Sequence, residues 1–235
     1  MTAPVIHRVT ALDLRYQPWA WPFADQRRAE ITAHFAQAQR QKPAIWNGRV
    51  LLARDAVFAE GGLSASYFEA DFASFLAWRD WGFADRSVFN GFGMGALCCA
   101  DGAFVLGEMA QHTSNAGRVY FPSGTPDRND LRGDRVDIAG SVAREVEEET
   151  GLSPSDYRAD PVWDCVVSGP TIAMMRLLQV DCSGESLRER IESNLARQSQ
   201  PEFAAVHLVR EQADLTADMP SFVTAFINMK LAQAS

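Results

Sequence analysis

The chain has 235 residues, 47% of them hydrophobic and 22% charged, the balance of a globular protein long enough to bury a sizeable core. Its formal net charge is −8 and it carries no basic run, which argues against a nucleic-acid-binding surface and against electrostatic attachment to anionic membranes. Apolar runs are far shorter than a bilayer span, the N-terminus lacks the apolar core of a signal peptide, and Cys98, Cys99, Cys165 and Cys182 show no paired spacing, so buried thiols in a reducing cytoplasm are expected.

In chain order, residues 5–14 alternate loosely as a strand, and "PWAWPF" (18–23) is a proline-aromatic connector. Residues 24–41 read as a helix with Asp25 as cap and Pro43 as stop. Two strands flank Gly61-Gly62, and Asp71 precedes a helix bearing Phe72, Phe75, Leu76 and Trp78. Residues 95–110 form a hairpin pattern around Asp101-Gly102, the pair that a type I′ turn prefers. A short strand ends at Pro122, and a polar loop spans residues 123 to about 136. A helix follows from about Ile138 to Thr150, with Gly151 to end it. Strands over 161–169 and 171–182 surround Gly169-Pro170. A helix over 185–199, a strand over 203–210 and an amphipathic helix over 219–232 close the chain. Strands and helices mix without regular alternation, so the fold class is α+β.

The helix before Gly151 ends in "REVEEETGL", residues 144–152. Glu145, Glu148 and Glu149 stand at i, i+3 and i+4 and share one face; Ala139, Val142, Ala143 and Val146 form the apolar stripe, and Glu147 points away. Clustered carboxylates resist ionising together without a counter-charge. Oxygen ligands of this kind suit Mg²⁺ or Mn²⁺, whose usual work is to polarise a phosphoryl oxygen and activate a water. Arg144, four residues before Glu148, can hold one of the carboxylates.

This segment resembles the C-terminal half of the Nudix box, matching it at Arg144, Glu145, Val146, Glu148, Glu149, Gly151 and Leu152. The preceding "YFPSGT" is similar to the approach to that box, where a turn supplies a backbone carbonyl to the metal, a role that falls to Gly124 or its neighbour Ser123. The N-terminal half departs from the pattern. Val136 stands where a supporting glutamate belongs, eight residues before Arg144, and Asp137 reads as the helix N-cap. Gly124 lies twelve residues before Val136 where the family has about six, so the loop carries an insertion. Its acids, Asp127, Asp130 and Asp134, could assist a metal, but the weight goes to keeping the loop soluble.

The resemblance covers roughly residues 91–235 and implies a Nudix fold, a mixed sheet between helices, with residues 1–90 as an N-terminal α/β extension. It implies that Glu145, Glu148 and Glu149 bind Mg²⁺ or Mn²⁺, and that a later acid joins them as ligand or base. Glu202, fixed behind Pro201 before a strand, is favoured over Glu192 and Glu211. Arg118 and His112 flank the expected cleft and are candidate phosphate contacts; His207, in an apolar strand, reads as a core residue. Trp19, Trp21, Phe23, Trp46, Trp78 and Trp81 could stack a base, but the weight goes to the core of an added layer. The expected activity is hydrolysis of the diphosphate linkage in a nucleoside diphosphate joined to another group. A nucleotide sugar such as UDP-glucose is the faint analogy, and a non-catalytic nucleotide sensor is the alternative. The family is often dimeric, so a homodimer is among the expectations.

Overall fold

The computed structural model describes residues 3–234. Its strands are β1 (Val5–Val9), β2 (Ala11–Tyr16), β3 (Arg49–Ala59), β4 (Gly62–Asp71), β5 (Val88–Cys99), β6 (Phe104–Met109), β7 (Val119–Tyr120), β8 (Ser123–Gly124), β9 (Leu131–Arg132), β10 (Arg135–Val136), β11 (Arg158–Ser168), β12 (Thr171–Val180) and β13 (Phe203–Val209). The helices are α1 (Pro22–Gln26), α2 (Arg28–Gln41), α3 (Phe72–Asp80), α4 (Ile138–Thr150), α5 (Gly184–Leu195) and α6 (Ser221–Ala234). The class is α+β, as the sequence implies.

The strands connect into one hydrogen-bonded network whose main path runs β1-β11-β12-β5-β3-β4-β2-β10-β9. The β12–β5 and β2–β4 pairs are parallel and the others antiparallel, so the sheet is mixed. β5 is its hinge. Its first residues pair with β3, and its body pairs with β12 on one side and with β6 and β8 on the other. The sequence of β5 explains how it holds helices on both faces. Gly93 and Gly95 point one way, and a Cβ there would press on Ile138, Val142 and Val146 of α4. Phe92 points the other way, its ring 5.9 Å from that of Phe222 on α6. Phe226 of α6 then stacks edge-on against Phe104 and Phe121.

The first half of β3 and the second half of β4 are largely buried on both faces, which is why "VLLA" and "YF" break the alternation of a one-sided strand. Leu51, Ala53, Leu63 and Tyr67 enter the large core shared with β5, α4 and α6. Val50, Leu52, Phe68 and Ala70 face a second, aromatic core with Trp21, Phe23, Phe35, Phe75 and Trp78 from α1, α2 and α3. Residues 5–9 pair with β11, so the first ninety residues supply both an edge strand and part of the large core.

Several local expectations change. The strand over 5–14 breaks at Thr10, whose N–H donates to the Gly61 carbonyl, and its halves join different neighbours. The helix over 24–41 breaks at Arg27, and Trp21, not Asp25, is the first N-cap, with Pro22 in the first turn where its missing N–H costs nothing. The Asp101-Gly102 turn is not type I′, since only Gly102 has a positive φ; Asp101 instead accepts from the N–H groups of Ala103 and Gly184. Asp71, which precedes the expected helix, caps α3 by accepting from the Ser74 N–H. All four cysteines are free; Cys99 and Cys165 are buried, but Cys98 and Cys182 are only half-buried. Among the described residues no helix is long and apolar enough to cross a membrane.

Candidate metal centre and substrate cavity

α4 begins where Asp137 accepts a hydrogen bond from the Gly140 N–H at 2.9 Å, and it ends at Gly151, whose φ of 75° is the left-handed conformation glycine adopts without strain. Between these caps the helix is fixed by Ile138, Val142 and Val146 against the glycines of β5, while Ala139 and Ala143 of the expected stripe are only half-buried. Glu149, three residues after Val146, continues this buried edge. Its residue is 2% exposed, although helical spacing alone groups it with the solvent-facing acids.

The three glutamates have different surroundings. Glu149 accepts from the Ser123 N–H at 3.0 Å through one oxygen, while its other oxygen is buried with no partner. Glu145 lies against Gly124 so closely that a Cβ there would collide with its carboxylate. Glu148 is open to solvent, its side chain 60% exposed. Burial pushes the Glu145 carboxyl up to about 7, against the pull of Arg144 and with added push from Glu148 and Glu202. Burial also holds Glu149 well above the carboxylate range, reinforced by Glu145 and Glu202. Glu202, at the mouth of β13, is raised by burial and by Glu148, with His112 acting the other way. Its residue is exposed and lines a cavity that Ser123 and Gly124 also line. Glu192 and Glu211 do not line the cavity, and Glu211 serves as cap of a 3-10 turn.

Arg144 is the hub of the cluster. It donates to both oxygens of Asp130 at 3.1 and 3.2 Å, and lies 2.8 Å from Glu145 and 3.5 Å from Glu148. The weight given to solubility for Asp130 is overturned. Asp130 is 3% exposed, closes a capping box with Asp127 and anchors Arg144 from the inserted loop. Asp127 caps the same 3-10 turn, and exposed Asp134 pairs with Arg15 of β2. Val136 at the supporting-glutamate position is a buried apolar residue. An aspartate placed by the insertion thus touches the arginine instead. Its signal in the sequence was an Asp-x-x-Asp capping box, readable as local structure but not as a partner for Arg144.

Ser123 and Gly124 line one end of a cavity of about 1040 Å³, together with Glu202, His112 and Tyr120. Tyr120, missed from the sequence, is nearly buried, and its hydroxyl accepts from Asn115 at 3.1 Å. Arg118 lines the same cavity and has no carboxylate partner among the described residues. His207 is not a core residue: its ring is partly exposed and pairs with Glu108 at 3.0 Å. Trp21, Phe23 and Trp78 are core as expected, whereas Trp46 is 75% exposed.

Among the described residues no three His, Cys, Asp or Glu groups are already drawn into a metal-binding set, because Glu145 and Glu148 turn toward Arg144. The donors nonetheless fit a hard divalent cation. They are all carboxylate or carbonyl oxygens, one buried carboxylate oxygen lacks any partner, and burial and neighbouring carboxylates raise the proton affinity of Glu145 and Glu149, a penalty on the charged form that a cation would offset.

No family model matches this sequence, and no curated protein matches it. Solved structures similar to it include an Ap4A hydrolase from C. elegans (14% identity, 60% of this chain and 96% of that one, TM-score 0.43). A MutT protein from Methanosarcina mazei Go1 is similar at 16% identity over 63% of this chain and 96% of that one, with a TM-score of 0.40. A Nudix hydrolase from M. smegmatis, RenU, is similar at 14% identity over 61% of this chain and 84% of that one, with a TM-score of 0.39.

Proposed function

We propose that the protein is a Nudix-type hydrolase that uses Mg²⁺ or Mn²⁺ to cleave the diphosphate linkage of a nucleoside diphosphate joined to another group. One observation carries the reading. The seven-position Nudix match falls on a helix whose Glu145 and Glu149 converge on Ser123-Gly124 at the end of a large cavity, with a buried carboxylate oxygen left unpartnered. A surface helix has no reason to bury an acid in this way.

Glu145, Glu148 and Glu149 would hold the ion, with Glu202 and a carbonyl of Ser123 or Gly124 as further donors. When bound, a divalent ion acidifies a water and neutralises charge on the phosphates. The residues of the chain do the positioning. The Ser123 N–H fixes one Glu149 oxygen, so the other keeps a set direction. Arg144, braced by Asp130, holds Glu145 and Glu148 without closing over Glu149. Glu202 has a raised affinity for protons and stands on the cavity wall, the placement of a general base for an attacking water. Arg118 and His112 offer positive charge and a donor to the phosphates. The first ninety residues line part of the cavity, through Trp46, Arg49 and Phe75 among others, and would set specificity. The four free thiols accord with a cytoplasmic enzyme.

The test is hydrolysis of a panel of nucleoside diphosphate sugars, dinucleotide polyphosphates, NADH, ADP-ribose and CoA with Mg²⁺ or Mn²⁺. We expect metal-dependent release of a nucleoside monophosphate or an equivalent phosphate product from at least one compound, and its loss in Glu149→Gln. Cleavage unchanged in Glu145→Gln, Glu148→Gln and Glu149→Gln would place the chemistry elsewhere.

A further inference from the structure

Trp46 is the one tryptophan that the fold leaves almost bare, at 75% exposure, while Trp21 and Trp78 are at 4% and 0%. It is not on a loose segment. The connection between α2 and β3 is tied at several points. The Gln39 side chain donates to the Ile45 carbonyl at 3.1 Å, and the Gly48 N–H donates to the Trp46 carbonyl at 3.0 Å. The Asn47 side chain accepts from the Ala73 N–H at 2.8 Å, and the Gly48 carbonyl accepts from the Phe72 N–H at 2.9 Å. From the other wall, the Lys42 ammonium donates to the Thr113 carbonyl at 2.6 Å, clamping this connection to the segment that carries His112.

The indole is also supported. A Cβ built on Gly48 would lie 2.8, 3.0 and 3.0 Å from three consecutive carbons of its six-membered ring. Near-equal distances to three neighbouring ring atoms put the glycine under the face of the ring, not at its edge. Only glycine permits that approach. One face of Trp46 therefore rests on backbone, and the ring lines the same cavity as Gly124 and Glu202.

We propose that Trp46 is the platform on which the planar base of the substrate stacks, which places the base-binding subsite in the N-terminal part of the chain. The inference rests on reading the Gly124–Glu202 end as the diphosphate site. The cavity, at about 1040 Å³, exceeds the roughly 300–1,000 Å³ of ordinary small-molecule pockets, so it has room for a base as well as a diphosphate and its second group. Arg118, with no carboxylate partner among the described residues, gives the wall positive charge; Arg49 and Arg79 also line it but pair with Glu69 and Asp80. A rigid, one-sided aromatic face beside such charge suits a nucleobase, because every base offers a π-face.

The experiment is calorimetric binding of UDP, ADP and inorganic pyrophosphate, each with Mg²⁺, to the full chain and to Trp46→Ala and Trp46→Phe. We expect Trp46→Ala to weaken UDP or ADP by roughly tenfold or more, Trp46→Phe to recover much of the loss, and pyrophosphate to be unaffected. Because the side chain is exposed, both variants should melt with the wild type. Nucleotide affinity equal in wild type and Trp46→Ala, or a parallel loss of pyrophosphate, would overturn the platform. Pyrophosphate binding that needs Glu149 alongside nucleotide binding that ignores Trp46 would overturn this inference alone. Wild-type protein that binds none of the three would overturn the hydrolase reading with it.

Discussion

Glu149 and Glu148 are adjacent in sequence and opposite in physics. Glu149 is buried with one oxygen unpartnered, and Glu148 is held at the surface by Arg144. In the metal-free protein, Glu145 and Glu149 bind protons more tightly folded than unfolded, so stability falls as pH rises above the ordinary value of 4.5; for Glu145 the fall runs through about 7, and Glu149 acts in the same direction. Glu149→Gln keeps an acceptor for the Ser123 N–H and removes the charge. We expect it to melt higher than wild type at pH 8, with the gap closing toward pH 4.5. Glu148→Gln should abolish activity with little change in melting temperature, since its group is solvated already. Asp130→Asn, read by chemical denaturation, should cost about 1–3 kcal/mol by weakening the brace on Arg144, and should lower activity through Glu145. The seven-residue match picked out the three acids of the α4 face from sequence. It could not show that Glu149 is buried, because burial there depends on β5 glycines some fifty residues away, nor that Asp130 meets Arg144 across an inserted loop.

α4 can lie close to the sheet only because β5 presents Gly93 and Gly95 to it. Gly95→Ala would drive a methyl group into Val146 and Leu178, and we expect a loss of about 1–3 kcal/mol, measured by thermal or chemical unfolding, with weaker activity from a displaced Glu149. Gly124→Ala should leave the fold nearly intact and abolish turnover, since its methyl group would displace the Glu145 carboxylate. Element types and order were legible where period and punctuation agreed. The bounds of α4, set by the Asp137 cap and Gly151, and the β3–β4 and β11–β12 pairs came through directly. What failed was local chemistry overridden by tertiary contact. Thr10 and Arg27 break segments that read as continuous, and Asp101 turns its side chain to α5 instead of entering a left-handed turn.

At the scale of the whole molecule, the N-terminal ninety residues pair with the rest through β1–β11 and β2–β10, and share its large core. Strand pairing across the chain could not be read from the sequence, since long-range partners leave no local period. Both parts line one cavity, Trp46 and Phe75 from the first ninety residues and Ser123, Gly124 and Glu202 from the rest. All of this rests on one claim, that the acidic face of α4 is a divalent-metal centre. Calorimetric titration of Mn²⁺ into the wild type and Glu149→Gln near pH 6.5, in two buffers of different ionisation enthalpy, tests it most directly. The expected result is binding by the wild type with release of protons from Glu145 and Glu149, and affinity at least about tenfold weaker in the variant. Mn²⁺ binding that is absent in the wild type, or equal in both proteins, would contradict it.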